Sequence, residues 1–177
     1  TFLFYIVDFM IQLTLFISIG RLFVTDFYNN KIDPSRFGSL LFYLGRWYNN
    51  CLLSCESNSI GIATLQQLHY MAYPNIYRQK KTANAQIDIL NTLGFKTTIS
   101  TNAPIISNLQ NMIKDFDINI PSLKILNELK DYVVHQTITG GTKMGAAVGK
   151  HDDSVMALAI CCEAYRTDGD KLTVNRF

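Results

Sequence analysis

Apolar residues dominate the chain as far as Val24, and within that stretch Ile11, Leu13, Leu15, Ile17 and Ile19 fall at every second position. Alternation of this kind belongs to strands, and Gly20-Arg21 supplies a tight turn before Leu22-Phe23-Val24. The stretch is long enough for a bilayer span, but Asp8 and Gln12 interrupt it and it is rich in Phe, Ile, Leu and Val rather than small residues. It therefore reads as buried strands and not as a membrane helix. The period then changes. Asp33-Pro34 joins an N-cap residue to proline at the first helical position, and Phe37, Leu40, Leu41, Leu44 and Trp47-Tyr48 recur at helical spacing until Asn49-Asn50.

Cys51-Leu52-Leu53-Ser54-Cys55 is a short apolar run, expected to be a buried strand with Glu56 at its C-terminal end and Ser57-Asn58-Ser59 as a polar turn. Helical spacing returns from Ile60 to Tyr73 through Leu65, Leu68 and Met71, Pro74 stops it, and Ile76-Tyr77 forms a short strand. Residues 78–102 are polar, with Thr97-Thr98-Ile99 expected as another short strand. Helices are expected near 103–115 and over 121–131, the second opened by Pro121-Ser122, then a strand at Val133-Val134 and a loop at Thr139-Gly140-Gly141-Thr142. A buried helix runs from Ser154 into Tyr165. Strands alternating with helices predict an α/β fold: a sheet with helices on its faces and a ligand site beyond the carboxyl ends of its parallel strands, where Glu56 falls.

The 177 residues suffice for one domain with a real core, and the high apolar fraction excludes a disordered chain. A net charge of +2 argues for neither a nucleic-acid nor a membrane partner, so any basic surface has to be local. Cys51, Cys55, Cys161 and Cys162 lack the second half of a zinc site and sit in apolar runs, which marks them as reduced core thiols. A chain that opens on Thr1 rather than Met reads as a portion of something longer.

Two carboxylate sites remain, Glu56 after a buried strand and Asp152-Asp153 before a buried helix. Acids beside an apolar core are costly unless they are paired or hold a cation, and oxygen-only ligands suit Mg²⁺ or Mn²⁺. The plainer alternative makes Asp152-Asp153 a helix N-cap that complements the dipole, which accounts for one carboxylate but not for His151-Asp152-Asp153 together.

Cys51 to Gly61, ending in the order Glu56, Asn58, Gly61, resembles a strand of the C-terminal nuclease domain of tailed-phage terminase large subunits. Gly149-Lys150-His151-Asp152-Asp153 is similar to that family's Gly-x-His-Asp-Asp helix entry, and Gly94-Phe95-Lys96-Thr97-Thr98 to a segment between the two. The resemblance covers most of the chain. It implies a ribonuclease H-like mixed sheet flanked by helices, and a two-metal endonuclease that cuts concatemeric double-stranded DNA during genome packaging. Glu56 and Asp153 are then metal ligands with Asp152 the close alternative, and His151 and Asn58 steady those ligands or touch a phosphate. Lys143, Lys150, Arg78, Lys80 and Lys81 are the candidate DNA contacts.

The family also implies portal and small-subunit partners, an ATPase motor on the full-length protein, and a place in the host cytoplasm at the procapsid, with no membrane association. No Gly-x-x-x-x-Gly-Lys-Ser/Thr occurs, so residues 1–177 are expected to be the nuclease domain without its motor. The N-terminus departs from the pattern, which calls for an Asp on the first strand. Either Phe4-Tyr5-Ile6-Val7-Asp8 is that strand and Asp8 the ligand, or Asp8-Phe9 is the second Asp of the pattern and the first lies upstream of Thr1. In the latter case the domain is a catalytically incomplete remnant that binds DNA or the portal. A Holliday-junction resolvase or a transposase-like enzyme shares the acidic cluster and is the weaker enzymatic alternative.

Overall fold

In the computed structural model the alternating N-terminal stretch forms three strands, β1 (Phe2–Val7), β2 (Met10–Ile17) and β3 (Arg21–Tyr28). The structure describes residues 2–7, 10–17, 21–28, 32–58, 60–79, 92–136 and 140–172, with side chains from residue 32 to residue 168 of these. The three strands pair antiparallel in sequence order, with Ile6 opposite Ile11 and Gln12 opposite Asp26. Arg21 opens β3 opposite Ile17 and is not part of the turn expected for it. Among the described residues no helix is long and apolar enough to cross a membrane.

Helix α1 (Pro34–Trp47) starts where the sequence places it, since Asp33 Oδ1 accepts from Ser35 N at 3.0 Å and Arg36 N at 3.1 Å. It ends before Asn49 and Asn50, both in the left-handed region. Strand β4 (Leu52–Cys55) then runs parallel to β1, with Leu3 beside Leu52 and Ile6 beside Cys55. Helix α2 (Gly61–Tyr70) is shorter than the apolar spacing predicts. Ala72 adopts a φ of 55°, Tyr73 N returns to Leu68 O, and the Tyr73 hydroxyl turns inward to donate to Cys51 O at 2.6 Å. Tyr73 is thus a core residue that follows the helix. Ile76 bridges Leu53 in parallel, as its position after Pro74 suggests.

The strand expected at Thr97-Thr98-Ile99 is instead the start of α3 (Ile99–Lys114). Thr98 and Thr101 cap one another, the Thr98 side chain accepting from Thr101 N and the Thr101 side chain from Thr98 N. Reciprocal capping outweighs the strand preference of two threonines. Strand β5 (Ile118–Asn119) pairs in parallel with β3, completing a mixed sheet in the order β4-β1-β2-β3-β5. After α4 (Leu123–Lys130), β6 (Tyr132–Gln136) and β7 (Thr142–Ala146) make a separate antiparallel hairpin. β7 has no counterpart in the sequence reading, because Thr-Lys-Met-Gly-Ala lacks a β-branched or alternating run, and Thr142 belongs to the strand rather than to the loop. Helix α5 (Asp153–Leu172) extends beyond Tyr165.

Helices lie on both faces of β4. Leu52 joins a cluster with Ile105, Ile106 and Leu109 of α3 and Val155, Leu158 and Cys162 of α5, whereas Leu53 and Cys55 join Phe37, Leu41, Leu65 and Leu68 of α1 and α2. Helix α5 also runs against β1 and β2. All four cysteines are buried and free, and burial pushes the Cys51 and Cys55 thiols up to about 12. They are core thiols, as their apolar neighbours predict.

Candidate active site

Glu56 leaves β4 at the point where the sheet ends, and its surroundings explain the spacing Glu56, Asn58, Gly61. Asn58 Oδ1 accepts from Gly61 N at 2.8 Å at the start of α2, while its Nδ2 donates to Glu56 Oε2 at 3.3 Å. One amide side chain therefore fixes both the helix entry and the carboxylate. Gly61 is required by close approach, because a Cβ there would fall 1.9 Å from Glu56 O. The far side of the strand end is closed by Phe95, whose N donates to Cys55 O at 2.7 Å and whose O accepts from Ser57 N at 2.8 Å. Gly94, at a φ of 73°, leads into it, and a Cβ there would stand 2.5 Å from Cys55 O. These contacts give a physical reason for the segment Gly94 to Thr98, which ties Glu56 to α3.

The second carboxylate site forms at the entry to α5. Asp152 O accepts the first helical hydrogen bond, from Met156 N at 2.9 Å, so Asp152 occupies the N-cap position. Its side chain does not cap the helix. Asp152 Oδ2 accepts from Ala146 N of β7 at 3.1 Å, and the orphan N–H of Ser154 goes instead to Glu128 of α4. The N-cap alternative for Asp152 is corrected accordingly.

Glu56, Asp152 and Asp153 border one cavity of about 490 Å³, together with Thr97, Asn102, His135, Lys143 and Met156. Thr97 Oγ1 and Asn102 Oδ1 are buried and have no hydrogen-bond partner among the described residues. His135 Nε2 lies 2.8 Å from Ala146 O, so β7 is held by His135 on its carbonyl side and by Asp152 on its amide side. Tyr132, the first residue of β6, has its hydroxyl pushed up to about 12, first by burial and then by the charge of Asp152.

The other sequence candidates are placed differently. His151 is largely exposed, with Nδ1 3.9 Å from Asp153 Oδ2. Lys150 Nζ pairs with Asp131 Oδ2 at 3.1 Å, whereas Lys143 borders the cavity. Arg78 is exposed and reaches Thr92 Oγ1 at 3.4 Å, on the segment that leads to Phe95. Asp8, Lys80 and Lys81 lie outside the described residues. The sequence reading missed His135, Asn102 and Glu128, none of which stands in a pattern that marks it; Thr97 lay within a quoted segment but was given no role.

The fold is shared with the large terminase nuclease of thermophilic phage G20c in its magnesium-bound form, at a TM-score of 0.66 and 18% identity, over 92% of this chain and 81% of that one. This is a terminase nuclease fold. The cobalt-bound form of the same nuclease matches at 0.65, and the Thermus phage P74-26 large terminase nuclease domain at 0.57, with 17% identity over 88% of this chain and 72% of that one. No family model and no curated protein matches the sequence. At such identity the terminase nuclease likeness resides in the backbone and not in the residue list.

The donor chemistry of the cavity suits a hard divalent cation, since its acids and its two orphaned buried oxygens are all oxygen donors. Among the described residues no three His, Cys, Asp or Glu side chains already stand close enough to form a metal site.

Proposed function

We propose that this chain is the nuclease domain of a phage large terminase, a divalent-metal-dependent endonuclease that cuts concatemeric double-stranded DNA during packaging. The observation that carries the reading is that Glu56, Asp152 and Asp153 line one cavity of a terminase nuclease fold. We read the sheet as ribonuclease H-like on its mixed pairing and on the parallel neighbours β1 and β4. The resemblance calls for an acid on the first strand. β1 ends at Val7 one residue beyond Ile6, the partner of Cys55, and Asp8 is next in the chain, so we take Asp8 as that acid.

Glu56, Asp153, Asp152 and Asp8 are the residues that would hold Mg²⁺ or Mn²⁺. When bound, two such ions activate water on one side of a phosphodiester and stabilise the leaving oxygen on the other. Asn58 keeps Glu56 in place through its 3.3 Å hydrogen bond, and the amide of Ala146 does the same for Asp152. Lys143 supplies a cation at the cavity for a backbone phosphate, His151, Lys150 and Arg78 are further DNA contacts, and Lys80 and Lys81 join them on the strength of the basic run in the sequence alone. The thiols take no part, all four being buried and those of Cys51 and Cys55 held protonated.

By the same resemblance residues 1–177 form one nuclease domain of a protein whose ATPase motor lies elsewhere in its chain. Its partners are the portal and the small terminase subunit, and its place is the host cytoplasm at the procapsid. Plasmid digestion in Mn²⁺ or Mg²⁺, with Glu56→Ala alongside, tests the reading. A folded protein that binds DNA in a salt-dependent manner but cleaves with neither metal is the remnant and not the enzyme.

A further inference from the structure

The first N–H groups of a helix have no partner within it, and a carboxylate at the N-cap ordinarily accepts from the residue two or three positions on. In α5 that duty falls to Asp152, with Ser154 or Val155 as donor. Glu128, projecting from α4, takes it over: its Oε2 accepts from Ser154 N at 2.8 Å and its Oε1 from Ser154 Oγ at 2.9 Å. Ser154 is wholly buried and Glu128 half-buried, and the negative charge meets the positive end of a 20-residue helix. Asp152, relieved of the cap, turns its Oδ2 to Ala146 N and borders the cavity beside Asp153.

We infer that Glu128 is a positioning residue of the site: by capping α5 in place of Asp152 it leaves the Asp152 carboxylate free for the cavity and fixes the helix start that carries Asp153. The inference rests on the metal-dependent nuclease reading. Glu128 does not border the cavity itself and acts only through Ser154. Both of its oxygens are spent on one residue, which sets the start of α5 against α4 in distance and in direction. Without them Asp152, which occupies the N-cap position, is the carboxylate that capping geometry directs to Ser154 N, and a rotation toward its own helix withdraws it from the cavity.

The test is calorimetric Mn²⁺ binding and plasmid cleavage by the wild-type chain, Glu128→Ala, Glu128→Gln, Ser154→Ala and the Glu128→Ala/Ser154→Ala pair, each checked for fold by circular dichroism. Expected for Glu128→Ala is Mn²⁺ binding weakened by about tenfold to a hundredfold and a kcat lowered in step, with KM for DNA unchanged. Glu128→Gln keeps an acceptor for Ser154 N and restores part of the loss. The double variant is no worse than Glu128→Ala, because the two groups act as one unit. Wild-type Mn²⁺ affinity in folded Glu128→Ala, or losses that add in the double variant, overturns the inference. Should Glu128→Ala fail to fold, Glu128→Gln and Ser154→Ala decide it, and wild-type affinity in both overturns it. A wild-type chain that takes up no Mn²⁺ overturns the nuclease reading and this role together, and is told apart because it fails before any substitution.

Discussion

Asp152 Oδ2 accepts a hydrogen bond from Ala146 N at 3.1 Å, which joins the last residue of a hairpin strand to the acid that precedes the long buried helix. The bond explains how β6 and β7, which stand apart from the main sheet, bear on the site. Ala147 N continues the attachment by donating to Asp131 O at 2.8 Å, and Lys150 closes it by pairing with the Asp131 carboxylate.

Replacing Ala146 by proline removes that N–H and leaves Asp152 Oδ2 without its donor. Groups that orient a ligand are worth about tenfold to a hundredfold in metal affinity or activity. Cleavage by Ala146→Pro should fall by about that much, while circular dichroism shows the fold retained, since Ala146 belongs to neither core cluster.

Gly61 tests the geometry at the other acid. A Cβ at this position meets Glu56 O at 1.9 Å, a backbone atom that cannot rotate away. Gly61→Ala is expected to lower stability by about 1–3 kcal/mol or more, measured by urea unfolding. Unaltered stability would show that the approach of α2 to the end of β4 is looser than this structure has it.

Lys143 and Lys150 both precede Asp152-Asp153 in sequence but differ in their surroundings. Lys143 borders the cavity, and Lys150 is paired with Asp131 at 3.1 Å. Lys143→Ala should reduce the slope of log DNA affinity against log salt by about 0.9, as expected for one lost phosphate contact. A smaller change is expected for Lys150→Ala. Equal effects would remove the assignment of Lys143 to the DNA path.

The thiols predict a pH dependence with a definite sign. Cys51 and Cys55 rise from 9.0 to about 12 on burial, so above pH 9 the unfolded chain loses protons that the folded chain retains. Stability is retained below about pH 9 and declines as the pH rises toward 12. A thiol reagent should label the native protein only as fast as it unfolds. Rapid labelling of all four cysteines in the folded state would contradict their burial.

Much of this fold was legible because several elements announced themselves by one strong local signal. Asp33-Pro34 fixed the start of α1, the run Cys51–Cys55 fixed β4, and the apolar stretch after Ser154 fixed most of α5. Thr97-Thr98-Ile99 misled because threonine favours both strands and caps, and only the partner Thr101 decides between them. β7 and β5 were silent, one for want of a β-branched run and the other for its length of two residues. Glu56 and Asp152-Asp153 were visible as acids beside apolar elements. His135, Asn102 and Glu128 were not, because their roles arise from α3, α4 and the hairpin arriving at one place, and no sequence period carries that information.

The most direct test of the central claim is digestion of supercoiled plasmid in Mn²⁺ or Mg²⁺ by the chain itself, with Glu56→Ala and Asp8→Ala beside it, all shown to be folded. The account predicts that the parent cuts in a metal-dependent way and that both variants lose more than about a hundredfold of that rate, since removing a metal ligand costs more than removing a group that only orients one. Undiminished cutting by Glu56→Ala, or none by the folded parent with either metal, would contradict it.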